Sequence, residues 1–142
     1  MTDGLVGKLC ASRFIRFGAV GGAGFFVNEA ALMVAHGLLH AGPDLSWFIA
    51  FIPSVTFTWW GNRTLTFADK ASRGLAAMVQ EWGRFVAANS LGALANYLAY
   101  TGLIHWAPYP LSIAYVALAI GVLFGMVFNF VLSKKLVFRH SA

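Results

Sequence analysis

Four polar side chains sit inside long apolar runs of this chain: Asn28 and Glu29 together, then Asn96, then Asn129. Such groups are costly in hydrocarbon, a carboxylate by about 3 kcal/mol at insertion, so each implies pairing across helices or contact with a polar passenger. Glu29 follows Arg16 by thirteen positions, which on a helix places it roughly 20 Å further along, near or just past a membrane midplane. Its carboxyl is expected to face a bundle interior or a wet cavity. Asn28 and Asn96 are expected at similar depth, with Asn89, Thr56, Thr58 and Asn129 nearer the charged side; the alternative for the amides and hydroxyls is packing between helices. Arg16, Arg63, Arg84 and Lys134 mark the places where apolar sequence meets charge.

Other chemistry is absent from the pattern. No nucleophile stands with a base, and no two carboxylates are placed for acid and base roles, so no catalytic residue and no enzymatic activity is expected. The glycines from Gly18 to Gly24 lack a following Gly-Lys-Ser/Thr and suit close helix approach rather than a phosphate cradle. His36 and His40 are four apart, but only Asp44 lies near as a third ligand, so neither a metal nor another cofactor is expected. Cys10 is the sole cysteine and can form no internal disulfide.

The elements that must hold these residues follow from composition. With 59% hydrophobic and 11% charged residues in 142, a soluble core could not hide the apolar surface, and an all-α integral membrane protein is expected. Four spans fit: Phe17 to Leu39, Leu45 to Asn62, Phe85 to Ala107 and Leu111 to Ser133. At about 1.5 Å per residue each can cross a core of about 30 Å, the second only just. The first is too long for a signal-peptide core and lacks a convincing cleavage site, so it is expected to stay uncleaved. The turns His40 to Asp44 and Pro108 to Pro110 make two helical hairpins, and Pro53 is a candidate kink in the second span.

All ten Lys and Arg fall before the first span, between the second and third, or after the fourth, and none in either hairpin turn. The positive-inside rule then puts both termini and the central loop in the cytoplasm. Between the hairpins, Leu75, Met78, Val79 and Trp82 recur at spacings of three and four, with Arg73, Gln80, Glu81 and Arg84 elsewhere on the turn, as in a short interfacial helix.

The halves also resemble one another. Arg16, Phe17, Gly24 and Asn28 reappear 68 positions on as Arg84, Phe85, Gly92 and Asn96, while Phe57, Leu65 and Phe67 reappear 71 on as Phe128, Leu136 and Phe138. The expected organisation is one membrane domain over 1–142 with a first two-helix repeat at 13–67, a connector at 68–83 and a second repeat at 84–138. Both copies enter and leave on one side, so the repeat is parallel.

Arg16-Phe17 with Val20-Gly21-Gly22, Gly24-Phe25 and Asn28, then Asn62 through Phe67, Arg84-Phe85, and Asn129-Phe130 through Val137-Phe138 together resemble the GtrA-like family of small four-span proteins. The resemblance runs from about Arg13 to Phe138 and departs in Ser133-Lys134, where an Asn-Arg copy is expected, and in the acidic Glu29. It implies cell-surface polysaccharide synthesis and movement of a polyprenyl-phosphate-linked sugar to the outer leaflet of the cytoplasmic (inner) membrane. Arg16, Arg63, Arg84 and Lys134 would then meet the phosphate at the cytoplasmic edge, and Asn28, Glu29, Asn96 and Asn129 would line a polar path. Partners implied are the lipid itself, a glycosyltransferase and a second copy forming a groove as a homodimer; no nucleic acid is implied. Two other functions fit the same residues: a subunit that only holds a polytopic glycosyltransferase, and a proton-coupled cation exporter working through Glu29.

Overall fold

The computed structural model describes residues 12–139, so the readings for Lys8, Cys10 and the leader before Ser12 lie outside the described residues. The described elements are all helical, and the chain divides into two compact units, at residues 12–78 and 79–139.

In the first unit α1 (Arg13–Met33) passes into a π-helical turn, Val34–Leu38, and α2 (Pro43–Gly61) into another, Asn62–Thr66. Pro43 occupies the first turn of α2, where its missing N–H leaves no bond unmade and its fixed φ already suits a helix. Ahead of it the Ala41 carbonyl accepts from Ser46 Oγ at 3.1 Å and lies 3.2 Å from His36 Nδ1, which ties the return between the helices. The helices meet along small residues. A Cβ added at Gly24 would overlap the Thr58 methyl, and one at Gly61 would lie 2.7 Å from Val20. Ser54 Oγ donates to the Gly24 carbonyl at 2.9 Å, and Ala35, Ala50 and Val55 are buried. α2 continues through Pro53 to Gly61.

The expected helix end at Asn62 is a change of helix type instead. The Phe67 N–H reaches back five residues to the Asn62 carbonyl at 2.8 Å, widening the last turn. Asn62 and Thr66 turn inward: Thr66 Oγ1 donates to Asn62 Oδ1, and Asn62 Nδ2 to the Thr58 carbonyl, both at 2.9 Å. Phe67 is fully buried, edge-on to Phe17 with ring centroids 6.4 Å apart, whereas Leu65 is 60% exposed. A 3-10 turn, Ala68–Lys70, follows, and the chain then passes Gly74 at φ +90, a conformation that suits glycine.

The second unit holds most of α3 (Leu75–Trp106), α4 (Ala114–Leu132) and a third π-helical turn, Ser133–Val137. α3 is continuous, so residues 68–83 comprise the 3-10 turn, the bend at Gly74 and the opening of this one helix. Its buried residues are Glu81, Phe85, Ala88 and Gly92, spaced by four, three and four. The turn before α4 runs from residue 107 to 113, longer than Pro108 to Pro110, because Leu111 and Ile113 donate back to Pro108 and Pro110 at 2.9 and 3.2 Å rather than starting the helix. On α4 the Gly121-x-x-x-Gly125 pair faces α3. Added Cβ atoms there would lie 2.7 Å from Asn96 Oδ1 and 2.8 Å from Asn96 Cβ respectively. At its end the Phe138 N–H reaches the Ser133 carbonyl at 2.9 Å, and Phe138 is fully buried edge-on to Phe85 at 6.3 Å.

Two helical stretches among the described residues are long and apolar enough to cross a bilayer, Arg13–Leu38 and Ala114–Val137. The other two expected spans are helical but more polar: α2 carries Ser46, Pro53, Ser54, Thr56 and Thr58, and α3 carries Asn89, Ser90 and Asn96.

Because Phe67 and Phe138 are buried and Leu65 is not, Phe67→Ala and Phe138→Ala are each expected to cost about 3 to 5 kcal/mol. Leu65→Ala is expected to change stability by less than about 0.5 kcal/mol. Unfolding of the three variants in one detergent checks the contrast, which fails if Leu65→Ala proves as damaging as the others.

Candidate functional site

The expected polar path separates into residues committed to packing and residues left outside it. In the second unit Asn96 lies over Gly121 and Gly125 of α4, and Asn129 of α4 lies over Gly92 of α3, where an added Cβ would overlap its amide. The two amides therefore interlock with glycines in both directions, each Asn filling the notch that a missing side chain opens on the facing helix. The fit has a cost. Asn129 Oδ1 and, one turn on, Ser133 Oγ are buried without a hydrogen-bond partner among the described residues. A buried polar atom left so is worth about 1 to 3 kcal/mol of lost stability. The Cα–H groups of a close-approaching glycine offset a small part of that at a helix interface.

In the first unit the matching place is filled by hydroxyls. Ser54 and Thr58 meet Gly24, and Thr58 Oγ1 donates to the Ser54 carbonyl at 3.0 Å, so this seam closes its own hydrogen bonds. Asn28 is half-buried on α1, and Glu29 beside it is exposed. The expectation that Glu29 faces an enclosed interior is therefore not what its position within this chain provides. Its side chain projects from the face of α1 that bears Gly22 and Phe26, opposite Val20 and Gly24, which face α2. At Gly21 and Gly22 an added Cβ would meet nothing within 4 Å, which shows how open that face is.

The cations divide in the same way. Arg63 donates to the Ser72 carbonyl, and its guanidinium carbon lies 5.7 Å from the centroid of the Trp59 ring, so it braces the segment leading to Gly74. Arg16 is half-buried at the start of α1. In the second unit Arg84 and Lys134 are exposed, together with Lys135. Arg13, not singled out from the sequence, bonds Asp69 at 2.8 Å. That hydrogen bond holds the Asp69 carboxyl below the usual carboxylate range. Since the folded value is the lower one, the link is complete at neutral pH and is lost as pH falls through the depressed value.

Sequence reading placed Glu81 on the polar side of a surface helix; the structure buries it completely, with polar or electrostatic contacts of its own. The signal was present, since Glu81 falls on the stripe of Phe85, Ala88 and Gly92. The nearby apolar residues Leu75 and Val79, which suggested the opposite face, are exposed. At the far end of the first unit, His36 borders a cleft of about 420 Å³ with Leu32, Met33, Pro43, Ser46 and Trp47.

A family model described as GtrA/DPMS, transmembrane domain, matches residues 16–138, in agreement with the resemblance carried by Arg16-Phe17 and the two Phe-terminated ends. No individual curated protein matches the chain.

If Asn129 is held by the notch at Gly92, Gly92→Ala destabilises the protein by about 1 to 3 kcal/mol. Adding Asn129→Ala recovers at least about 0.5 kcal/mol of it. Gly22→Ala is expected to be neutral or slightly stabilising, as alanine is the better helix former in open space. Melting curves of these three variants and of Asn129→Ala alone test this; additive losses at positions 92 and 129 would refute the interlock.

Proposed function

The chain belongs to the GtrA/DPMS transmembrane-domain family, and from that premise we propose that it moves a polyprenyl-phosphate-linked sugar from the cytoplasmic to the outer leaflet of the cytoplasmic membrane. Membership ties this membrane protein to glycan or polysaccharide synthesis, within a family that is generally non-catalytic. The observation that carries the finer reading is Glu29. A carboxylate stands deep in an apolar helix, outside the packed seam and beside a half-buried amide, where lipid alone solvates it poorly and a hydrophilic head group would solvate it well.

In this reading the two units are copies of one hairpin. An offset of 68 relates Phe17, Gly24 and Asn28 to Phe85, Gly92 and Asn96, and an offset of 71 relates Thr58, Asn62 and Phe67 to Asn129, Ser133 and Phe138. The pairs Phe17–Phe67 and Phe85–Phe138, at 6.4 and 6.3 Å with interplanar angles of 68° and 62°, support it. Four crossings then leave every cation-rich end, and both termini, on the cytoplasmic side.

In the second unit the exposed Arg84 and Lys134 bind a phosphate, and in the first unit Arg16 does so. Arg63 contributes through the loop that it braces. In the first unit Asn28 and Glu29 meet the sugar, while in the second Asn96 and Asn129 shape the helix pair rather than touch the passenger. A glycosyltransferase supplies the lipid-linked sugar, and a second copy provides the facing wall of the groove.

The test is a leaflet-resolved assay of a labelled polyprenyl-phosphate sugar in vesicles holding the purified protein. Transfer is expected to depend on the protein, and Arg84→Ala and Lys134→Ala are each expected to slow it about tenfold, the loss of one charge-assisted contact. No transfer, together with a glycosyltransferase that requires the protein for activity, would establish the holding subunit instead. Proton-coupled uptake of an organic cation would establish the exporter.

A further inference from the structure

Glu29 asks for a counter-charge that the described residues do not provide. Of the other acids whose side chains are described, Asp69 is paired with Arg13, and Glu81 is buried with contacts of its own. Glu29 is exposed and, among the described residues, has neither a hydrogen bond nor an ion pair. No Lys or Arg follows it in α1 or precedes Arg63, and His36, two turns further on, has its Nδ1 turned to the Ala41 carbonyl. Arg16 lies thirteen residues before it, roughly 20 Å along the helix.

We infer that the carried head group bears a primary ammonium, an amino sugar on the lipid phosphate, and that the Glu29 carboxylate is its counter-ion during passage. This rests on the lipid-carrier reading above. A sugar presenting hydroxyls alone needs only neutral hydrogen-bonding groups, which Asn28 supplies without the cost of a carboxylate. A carboxylate is matched instead to a cation, through a charge-assisted bond stronger than a neutral one. The arrangement of charge along the unit fits the same passenger. The cationic end receives the phosphate, and the acid stands further from it than one sugar ring spans, so the ammonium reaches Glu29 after the phosphate has left the rim. A head group with one negative and one positive charge is also easier to take through hydrocarbon than a bare phosphate anion, because its own field is partly cancelled.

The same pair of charges occurs on ethanolamine phospholipids, so the experiment includes them. Full-length protein in vesicles is given a labelled polyprenyl-phosphate amino sugar, its N-acetylated counterpart, or a labelled phosphatidylethanolamine, and each rate is measured for the unmodified chain and for Glu29→Gln. The amine is expected to cross about tenfold faster than the acetylated lipid, and Glu29→Gln is expected to bring that ratio to about one. The ratio is independent of how much of the variant folds, since both lipids report on the same preparation. Equal rates with the unmodified chain overturn the inference, as does a preference that survives Glu29→Gln. Phosphatidylethanolamine crossing as fast as the amino sugar overturns its assignment to a sugar. If neither polyprenyl lipid crosses, the carrier reading itself falls, and this inference with it.

Discussion

Each unit is closed at its charged end by a phenylalanine carried inward on a widened helical turn. A helix emerging from an apolar seam has last carbonyls to satisfy and a side chain to bury, and the five-residue bonds from Phe67 to Asn62 and from Phe138 to Ser133 do both at once. Phe67 then lands against Phe17 near the start of α1, and Phe138 against Phe85 well inside α3. Edge-on ring contacts of this kind add roughly 0.5 to 1.5 kcal/mol to the burial of the rings themselves. With the ends pinned, α1 and α2 can approach through Gly24 and Gly61, and α3 and α4 through Gly92, Gly121 and Gly125.

Between those ends the units solve one packing problem with different chemistry. Where the first uses Ser54 and Thr58, whose hydroxyls find carbonyls, the second uses Gly125 and Asn129. Asn62 bonds both Thr58 and Thr66, whereas the corresponding Ser133 hydroxyl is buried without such a bond among the described residues. The first seam is thus the better satisfied, and the second holds its helices by interlocking shape at the expense of two polar atoms.

Charge is distributed by the same logic. Cations that brace the fold, Arg13 on Asp69 and Arg63 on Ser72, belong to the first unit, while Arg84, Lys134 and Lys135 of the second remain exposed. Glu29 stands apart from both groups. An acid outside the seam of a membrane helix is an expense that packing does not require, which is why the functional reading turns on it.

The one-dimensional order of residues was enough to determine the membrane class, the helical content, the aromatic ends and the charged edges, because each depends on composition or on local periodicity. The recurrence ending in Phe67 and Phe138 was legible for that reason, and both residues proved to be core. What only tertiary structure decided was the role of each polar group. Asn28 and Asn96 share a sequence context, yet Asn96 meets a Gly-x-x-x-Gly notch and Asn28 faces a helix that has Ala50 and Ser54 at the corresponding positions. Glu81 and Glu29 are both isolated acids in sequence, but the first falls on the stripe that packs and the second on the face that does not. Burial is a property of what lies opposite, and the identity of the opposite residue is set by how two distant segments pack, which no local spacing contains.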